Sequence, residues 1–325
     1  MNFNSIQLLR AVAALYVVLY HTRYWWYIDE NSFFFNFISK GSAAVDLFFV
    51  ISGFVISLSI RKYTGLKGLK RFVIGRLIRV YPIFMIIVSF FLLFNVCNNN
   101  YTLSYLLKAY LLIPSYVLHC TVSSWTLCFE LYFYFLVSFL IISKQFIWLF
   151  YALVILAFIS LLGRHLNDQF VIPDKSFWSI HFIAFFLGMT ASKIYSKLKV
   201  SAAMVLLITG VVMFLFIPAG IGFSKLLQAT IPSFFIVLGA AVVDFKGKIK
   251  IPKIIIWIGD STYILYLINL GFCYLLLDHL TTGNISDNFI LPVFIMALTG
   301  LSVVLHLFIE KPMVLFLKNI LIPKK

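Results

Sequence analysis

Six ionisable side chains stand inside or at the edges of long apolar runs: Arg10, His21, Asp46, Arg76, Arg79 and Glu130. A charge at membrane depth costs several kcal/mol, so each is a candidate for function. Arg10 and His21 are eleven residues apart. On a helix that is about three turns and about 16 Å of rise, and eleven steps of ~100° return to nearly the same face. Arg10 suits a phosphate and His21 a general base. The bland alternative is an Arg10 that snorkels to lipid headgroups and an interfacial His21. Asp46 opens the next apolar run, ahead of Leu47–Phe54. With both residues near the outer ends of adjacent helices, Asp46 is expected to pair with His21 and fix its tautomer. Alternatively it is a carboxylate favoured by the helix dipole.

Arg76 and Arg79 are spaced i, i+3 just ahead of Tyr81-Pro82. They share a helical face at the cytoplasmic mouth of the third helix, where guanidinium forks suit phosphates. Ordinary basic anchoring explains the lysines around them better than it explains the facing pair. Glu130 falls about a turn and a half into the helix that Trp125 opens, and lipid gives it no reason to be there. Trp125 and Tyr134 also fit an interfacial aromatic belt. Ser261, Tyr263, Tyr266 and Asn269 form a polar stripe that lines a cavity or joins helices. His181, His279 and His306 are isolated and read as structural.

The elements that must position these groups follow from composition. The chain has 325 residues, 62% of them hydrophobic and 11% charged, and its mean hydropathy is +1.03. A soluble domain has roughly half apolar and about a quarter charged residues. A soluble enzyme, a DNA-binding module and a disordered chain are excluded, because this much apolar surface must face lipid. Runs such as Phe84–Val96 lack the alternation of a β-barrel strand. The first run ends in His21-Thr22-Arg23-Tyr24 with no small-residue cleavage site, so 6–20 reads as a retained helix rather than a cleaved signal.

The expected architecture is an all-α, polytopic transmembrane bundle with about ten spanning helices. They fall at 6–22, 43–60, 80–97, 125–143, 146–163, 177–192, 200–217, 226–243, 254–277 and 289–309. The stretch 103–118, with Lys108 and Pro114, reads as interfacial or re-entrant; if it spans, every later orientation flips. With both termini in the cytoplasm, about 20 of the 26 Lys and Arg residues fall on the inner side, as the positive-inside rule requires. The net charge of +15 therefore marks cytoplasmic loops rather than a nucleic-acid partner. Cys97, Cys120, Cys128 and Cys273 have no metal-type spacing, and no metal is expected. Apolar burial accounts for them, although Cys97 and Cys120 both fall near the outer face, where a disulfide is conceivable. No repeat or linker divides the chain, so 1–325 is expected to be one transmembrane domain.

Taken in order, these pieces resemble the acyltransferase-3 family of bacterial integral membrane acyltransferases. The matching elements are Leu9-Arg10 with His21, Val45–Phe54, Arg76-Leu-Ile-Arg79 before Tyr81-Pro82, Trp125–Glu130 with Phe133-Tyr134, Ser261–Ile268, and Glu310-Lys311-Pro312. The form around Trp125–Glu130 looks most like the exopolysaccharide and O-antigen acetyltransferase branch. Asn269 is a departure, since the family often has His there and Asn cannot act as a base. The family's longer members add a C-terminal periplasmic esterase-like domain, and none is expected here. The resemblance implies a multi-pass protein of the bacterial inner membrane. It would move acetyl from cytoplasmic acetyl-CoA to a sugar hydroxyl of a surface polysaccharide or an undecaprenyl-linked precursor. It implies Arg10, Arg76 and Arg79 on the CoA phosphates, with the pantetheine arm along the Arg10–His21 face. His21 would be the base or transient acetyl carrier, oriented by Asp46. Glu130, Trp125, Tyr134, Tyr266 and Asn269 would lie on the acceptor side. The competing class is a transporter or flippase of a glycan or lipid-linked sugar, which suits a polar groove among ten helices but has no use for CoA.

Overall fold

The computed structural model describes residues 3–94, 96, 101–113, 116, 118–166, 180–217, 225–247, 249–277, 280 and 287–322. Among the described residues all regular structure is helical, the form in which a segment in lipid satisfies its own backbone. The α-helices are α1 (Asn4–Thr22), α2 (Phe33–Ser39), α3 (Ala44–Ile60), α4 (Gly65–Leu93), α5 (Leu103–Tyr110), α6 (Trp125–Ile142) and α7 (Ile147–Leu166). They continue with α8 (Ile180–Ile194), α9 (Val200–Phe216), α10 (Ile231–Gly247), α11 (Lys253–Phe272), α12 (Asp287–Leu305) and α13 (Lys311–Leu321). Three π turns join or extend them: Leu226–Thr230 before α10, Cys273–Leu277 after α11, and His306–Glu310 between α12 and α13.

Among the described residues, seven helical stretches are long and apolar enough to cross a membrane. The other three expected segments hold shorter apolar helices at Lys144–Ile159, His181–Ile194 and Val200–Phe216. The stretch at 103–118 contributes α5, whose 8 residues rise only about 12 Å and cannot cross. Two boundaries differ from expectation. α4 starts at Gly65 rather than near residue 80, because its basic first half consists largely of good helix formers that need no apolar window. The last segment also does not stop near 309; it runs through a π turn into α13. Cys120 is disulfide-bonded, whereas Cys128 and Cys273 are free and buried. Cys97 lies outside the described residues.

The chain forms two compact units. The first comprises residues 1–13, 42–69 and 136–259. Its tightest seam is α3 against α8. A Cβ on Gly53 would lie 2.0 Å from the Phe185 carbonyl oxygen, and one on Gly188 2.0 Å from that of Val50, so only glycine permits this approach. On either side of the glycines, Asp46 meets His181 and Ser57 meets Ser192, whose hydroxyls are 2.6 Å apart. Both rungs join residues 135 apart, so α3 and α8 run parallel. α9 and α10 meet in the same close manner at Gly210 and Gly239, but antiparallel, with Gly210 against Pro232 and Ile236 and Gly239 against Ala203 and Leu207. Asp244 of α10 caps the start of α1, accepting from the Ser5 N–H at 2.8 Å.

The second unit comprises residues 14–41, 70–135 and 260–325. Phe91 of α4 packs edge-on against Phe272 of α11, where Gly271 leaves room for the ring. Pro82 inside α4 removes the hydrogen bond to the carbonyl one turn earlier, and beside it the Tyr263 hydroxyl of α11 donates to the Val80 carbonyl at 2.8 Å. Ser261 of α11 and Ser302 of α12 lie 3.2 Å apart, a polar rung of the kind that joins helices in lipid.

Candidate active site

Most of the expected site residues fall in the second unit, and four elements bring them together. α4 supplies Arg76 and Arg79 from adjoining positions on one face. The Arg76 guanidinium carbon lies 5.2 Å from the ring centres of both Phe72 and Tyr134, which meet edge-on. Two aromatic faces thus hold the guanidinium plane by cation–π attraction. α6 supplies Glu130 and, four residues on, Tyr134, whose hydroxyl donates to Glu130 Oε1. The i, i+4 spacing places both on one side of the helix.

Arg79 is half-buried, and its electrostatic neighbours are Tyr134, Glu130, Glu310 and Tyr263. It makes no hydrogen bond among the described residues, so its five N–H donors are open to a bound group. Glu310 comes from the π turn, where its Oε2 lies 2.7 Å from His306 Nδ1. A π turn widens the helix by one residue and aims side chains that an α-helix would send elsewhere; such turns are frequent at functional sites. Glu310 is buried, and the imidazole is its hydrogen-bond partner.

α11 supplies the polar stripe. The Tyr266 phenol lies 3.1 Å from Thr126 Oγ1 on α6. The Tyr266 carbonyl accepts from Ser123 Oγ at 3.0 Å and from Asn269 Nδ2 at 2.6 Å. Asn269 is fully buried, and its Oδ1 has no hydrogen-bond partner among the described residues. A buried amide oxygen without a donor costs roughly 1–3 kcal/mol, which a bound hydroxyl relieves. Trp125 opens α6 with its ring edge-on to Phe129.

His21 lies half-buried in the last turn of α1, its ring 5.3 Å from that of Tyr20. It makes no hydrogen bond among the described residues, so both ring nitrogens are open to a substrate. Its neighbour Arg23 is held over the Tyr20 and Tyr24 rings.

Arg10 and Asp46 belong to the first unit. Arg10 Nη1 lies 3.4 Å from Gln7 Oε1. Asp46 is fully buried, with partners other than the expected His21. His181 Nδ1 lies 3.4 Å away, Lys225 Nζ 3.6 Å away, and Thr230 donates to it at 3.2 Å. A carboxylate at this depth needs such company, and α8 and the π turn before α10 supply it. His181 and His306, which read as isolated in the sequence, are therefore each the partner of a buried carboxylate. His279 lies outside the described residues. Sequence reasoning also passed over Ser123, Thr126 and Glu310 as site residues. The Glu310-Lys311-Pro312 run was the available signal, read only as the close of a motif.

These features define a polytopic helical membrane protein with a half-buried site of guanidinium, carboxylate and phenol groups. The chain belongs to the acyltransferase-3 family: the family model described as an acyltransferase domain matches residues 3–310, nearly its whole length. It is therefore a membrane acyltransferase. Searches of curated proteins and of solved structures found no match to the chain.

Proposed function

We propose that this acyltransferase is an O-acetyltransferase. It takes acetyl from cytoplasmic acetyl-CoA and places it on a sugar hydroxyl of a surface polysaccharide or its lipid-linked precursor. The observation that carries this reading is the gathering of Arg76, Arg79, Glu130, Tyr134 and Tyr263 in one unit of an acyltransferase-family chain. Guanidinium forks match phosphate geometry, and CoA is a phosphate-rich donor. In the proposed reaction His21 removes the proton of the acceptor hydroxyl as its oxygen attacks the thioester carbonyl. The carbon–sulfur bond then breaks, and the CoA thiolate leaves and takes up the proton held by His21. Tyr266, Asn269, Trp125 and Tyr134 line the acceptor side, where Asn269 Oδ1 takes a hydroxyl proton as a hydrogen bond.

The proposed topology has ten spans, with both termini in the cytoplasm of a bacterial inner membrane. Two observations support it. Parallel α3 and α8 require an odd number of crossings between them, which α4, α6 and α7 supply and an additional crossing at 103–118 would spoil. A disulfide at Cys120 suits the oxidising side of the membrane, where this topology puts 98–124.

The test uses membranes carrying the chain, radiolabelled acetyl-CoA and the producing cell's own glycan. The expected result is acceptor-dependent release of CoA and labelled glycan. In the Arg76→Ala/Arg79→Ala variant, acetyl-CoA binding falls by about a hundredfold, roughly one charge-assisted contact per side chain. Unchanged binding in that variant overturns the donor site. Movement of a glycan without acetyl transfer replaces the enzyme with a transporter.

A further inference from the structure

The match to the family model ends at residue 310, and α13 begins at Lys311. α13 exposes Leu315, Phe316, Ile320 and Leu321, the apolar side of a helix lying at a membrane surface. Its other side meets α4. A Cβ at Gly75 would lie 3.8 Å from Ile322 Cδ1, so the end of α13 rests on α4 at Gly75. The Ile322 N–H donates to the Lys318 carbonyl at 3.0 Å, which keeps the helical turn and puts Lys318 on the face of Ile322. On α4, Arg79 is four residues beyond Gly75 and shares its face, with Arg76 adjoining. The surfaces that meet therefore bring Lys318 to the two arginines, and both guanidiniums act on its ammonium.

Lys318 is exposed and has no acidic partner among the described residues. Glu130 and Glu310 offset the charge of Arg79. No carboxylate among the described residues offsets Lys318 in the same way. Drawing a third cation toward two others is unfavourable unless an anion joins them.

We propose that Lys318 is the third cation of the donor site, and that α13 carries it over Arg76 and Arg79 so that the three hold a phosphate group of the CoA donor. This rests on the acetyl-CoA reading above. A lysine ammonium adds a mobile point charge to the fixed arginine forks, and α13 becomes a functional part of the enzyme rather than a terminal anchor. The chemistry recognised is a phosphate ester, which a lipid headgroup also presents, and the test separates the two sources.

The full chain is placed in lipid nanodiscs, and binding of acetyl-CoA and of acetyl-pantetheine, which lacks the phosphates, is measured. Lys318→Gln is expected to weaken acetyl-CoA binding three- to tenfold, with the loss shrinking as salt is raised. Acetyl-pantetheine binding does not change, Lys318→Arg restores most of the acetyl-CoA affinity, and the control Lys311→Gln has no effect. If the wild type binds acetyl-CoA and Lys318→Gln binds it equally well, the Lys318 assignment is overturned and the donor site stands. If the wild type binds no acetyl-CoA, the underlying reading falls and takes the assignment with it. In the lipid arm, anionic and neutral nanodiscs are compared. Dependence of wild-type stability on anionic lipid that Lys318→Gln abolishes, with acetyl-CoA binding unaltered, assigns the phosphate to lipid and also overturns the proposal.

Discussion

His21→Ala is expected to bind acetyl-CoA like the wild type and to lose acetyl transfer by about three orders of magnitude, the scale of a missing general base. The expectation follows from position as much as residue type. His21 is half-buried in the last turn of α1, and no hydrogen bond among the described residues occupies its imidazole. A histidine kept for structure would instead be tied to a partner, as His181 is to Asp46 and His306 to Glu310. The two tied histidines give internal controls. His306→Gln is expected to cost stability and less activity than His21→Ala, because what it removes is the partner of the buried Glu310. The measurement is single-turnover transfer from labelled acetyl-CoA, alongside equilibrium binding of the donor. A His21→Ala protein that expresses normally and transfers acetyl at the wild-type rate removes His21 from the reaction.

On the proposed donor side the two arginines have different surroundings. Arg79 stands near Glu130 and Glu310, so part of its charge is already balanced. Arg76 lies against the Phe72 and Tyr134 rings, its guanidinium carbon 5.2 Å from the centre of each. An incoming phosphate would then meet one cation beside two aromatic rings and one that stands near Glu130 and Glu310. The proposed site sets two guanidiniums beside a hydrogen-bonded phenol–carboxylate pair at Tyr134 and Glu130. A simple anchoring cluster at a cytoplasmic helix end has no use for the buried half of that arrangement.

The legible part of the fold was the part that lipid dictates. Among the described residues, apolar runs locate the seven helices long enough to cross a membrane and three shorter apolar ones, and the short α5 falls where a lysine and a proline interrupt the hydropathy. Arg76, Arg79 and Glu130 stood out because few charges lie in apolar surroundings, and these come together in space. Two kinds of information stayed hidden. One is partner choice: Asp46 and His21 sit on successive apolar runs and invite pairing, yet α3 packs along α8 and gives Asp46 to His181. Successive order in the chain says little about which helices touch when several antiparallel neighbours are available. The other is the π turn. Counting residues at 3.6 per turn cannot register one extra residue, so Glu310 and Thr230 take directions that no periodicity predicts.

Gly188→Leu is expected to prevent the first unit from assembling, at a cost of about 4 kcal/mol or more. The reason is contact with backbone rather than with a side chain able to move aside. Even the first added carbon would lie 2.0 Å from the Val50 carbonyl oxygen and 2.9 Å from the Phe54 nitrogen. Gly53 faces the same constraint from Phe185, so the seam has no slack on either side. Forcing the helices apart also breaks the rungs that the close approach allows. The Asp46–His181 contact and the Ser57–Ser192 hydrogen bond both lie on this seam, and opening it leaves a buried carboxylate with less compensation. The effect therefore exceeds that of Asp46→Asn, which keeps the packing and removes only the charge. Gly300→Leu is the matched control, since a Cβ there meets nothing within 4 Å. Monodispersity in detergent and the thermal midpoint read the result. Gly188→Leu is expected to aggregate or to unfold well below the wild type, Asp46→Asn to fall between, and Gly300→Leu to behave as wild type. A Gly188→Leu protein with a wild-type midpoint would show that α3 and α8 do not meet at Gly53 and Gly188, and the parallel register that supports the ten-span topology would go with it.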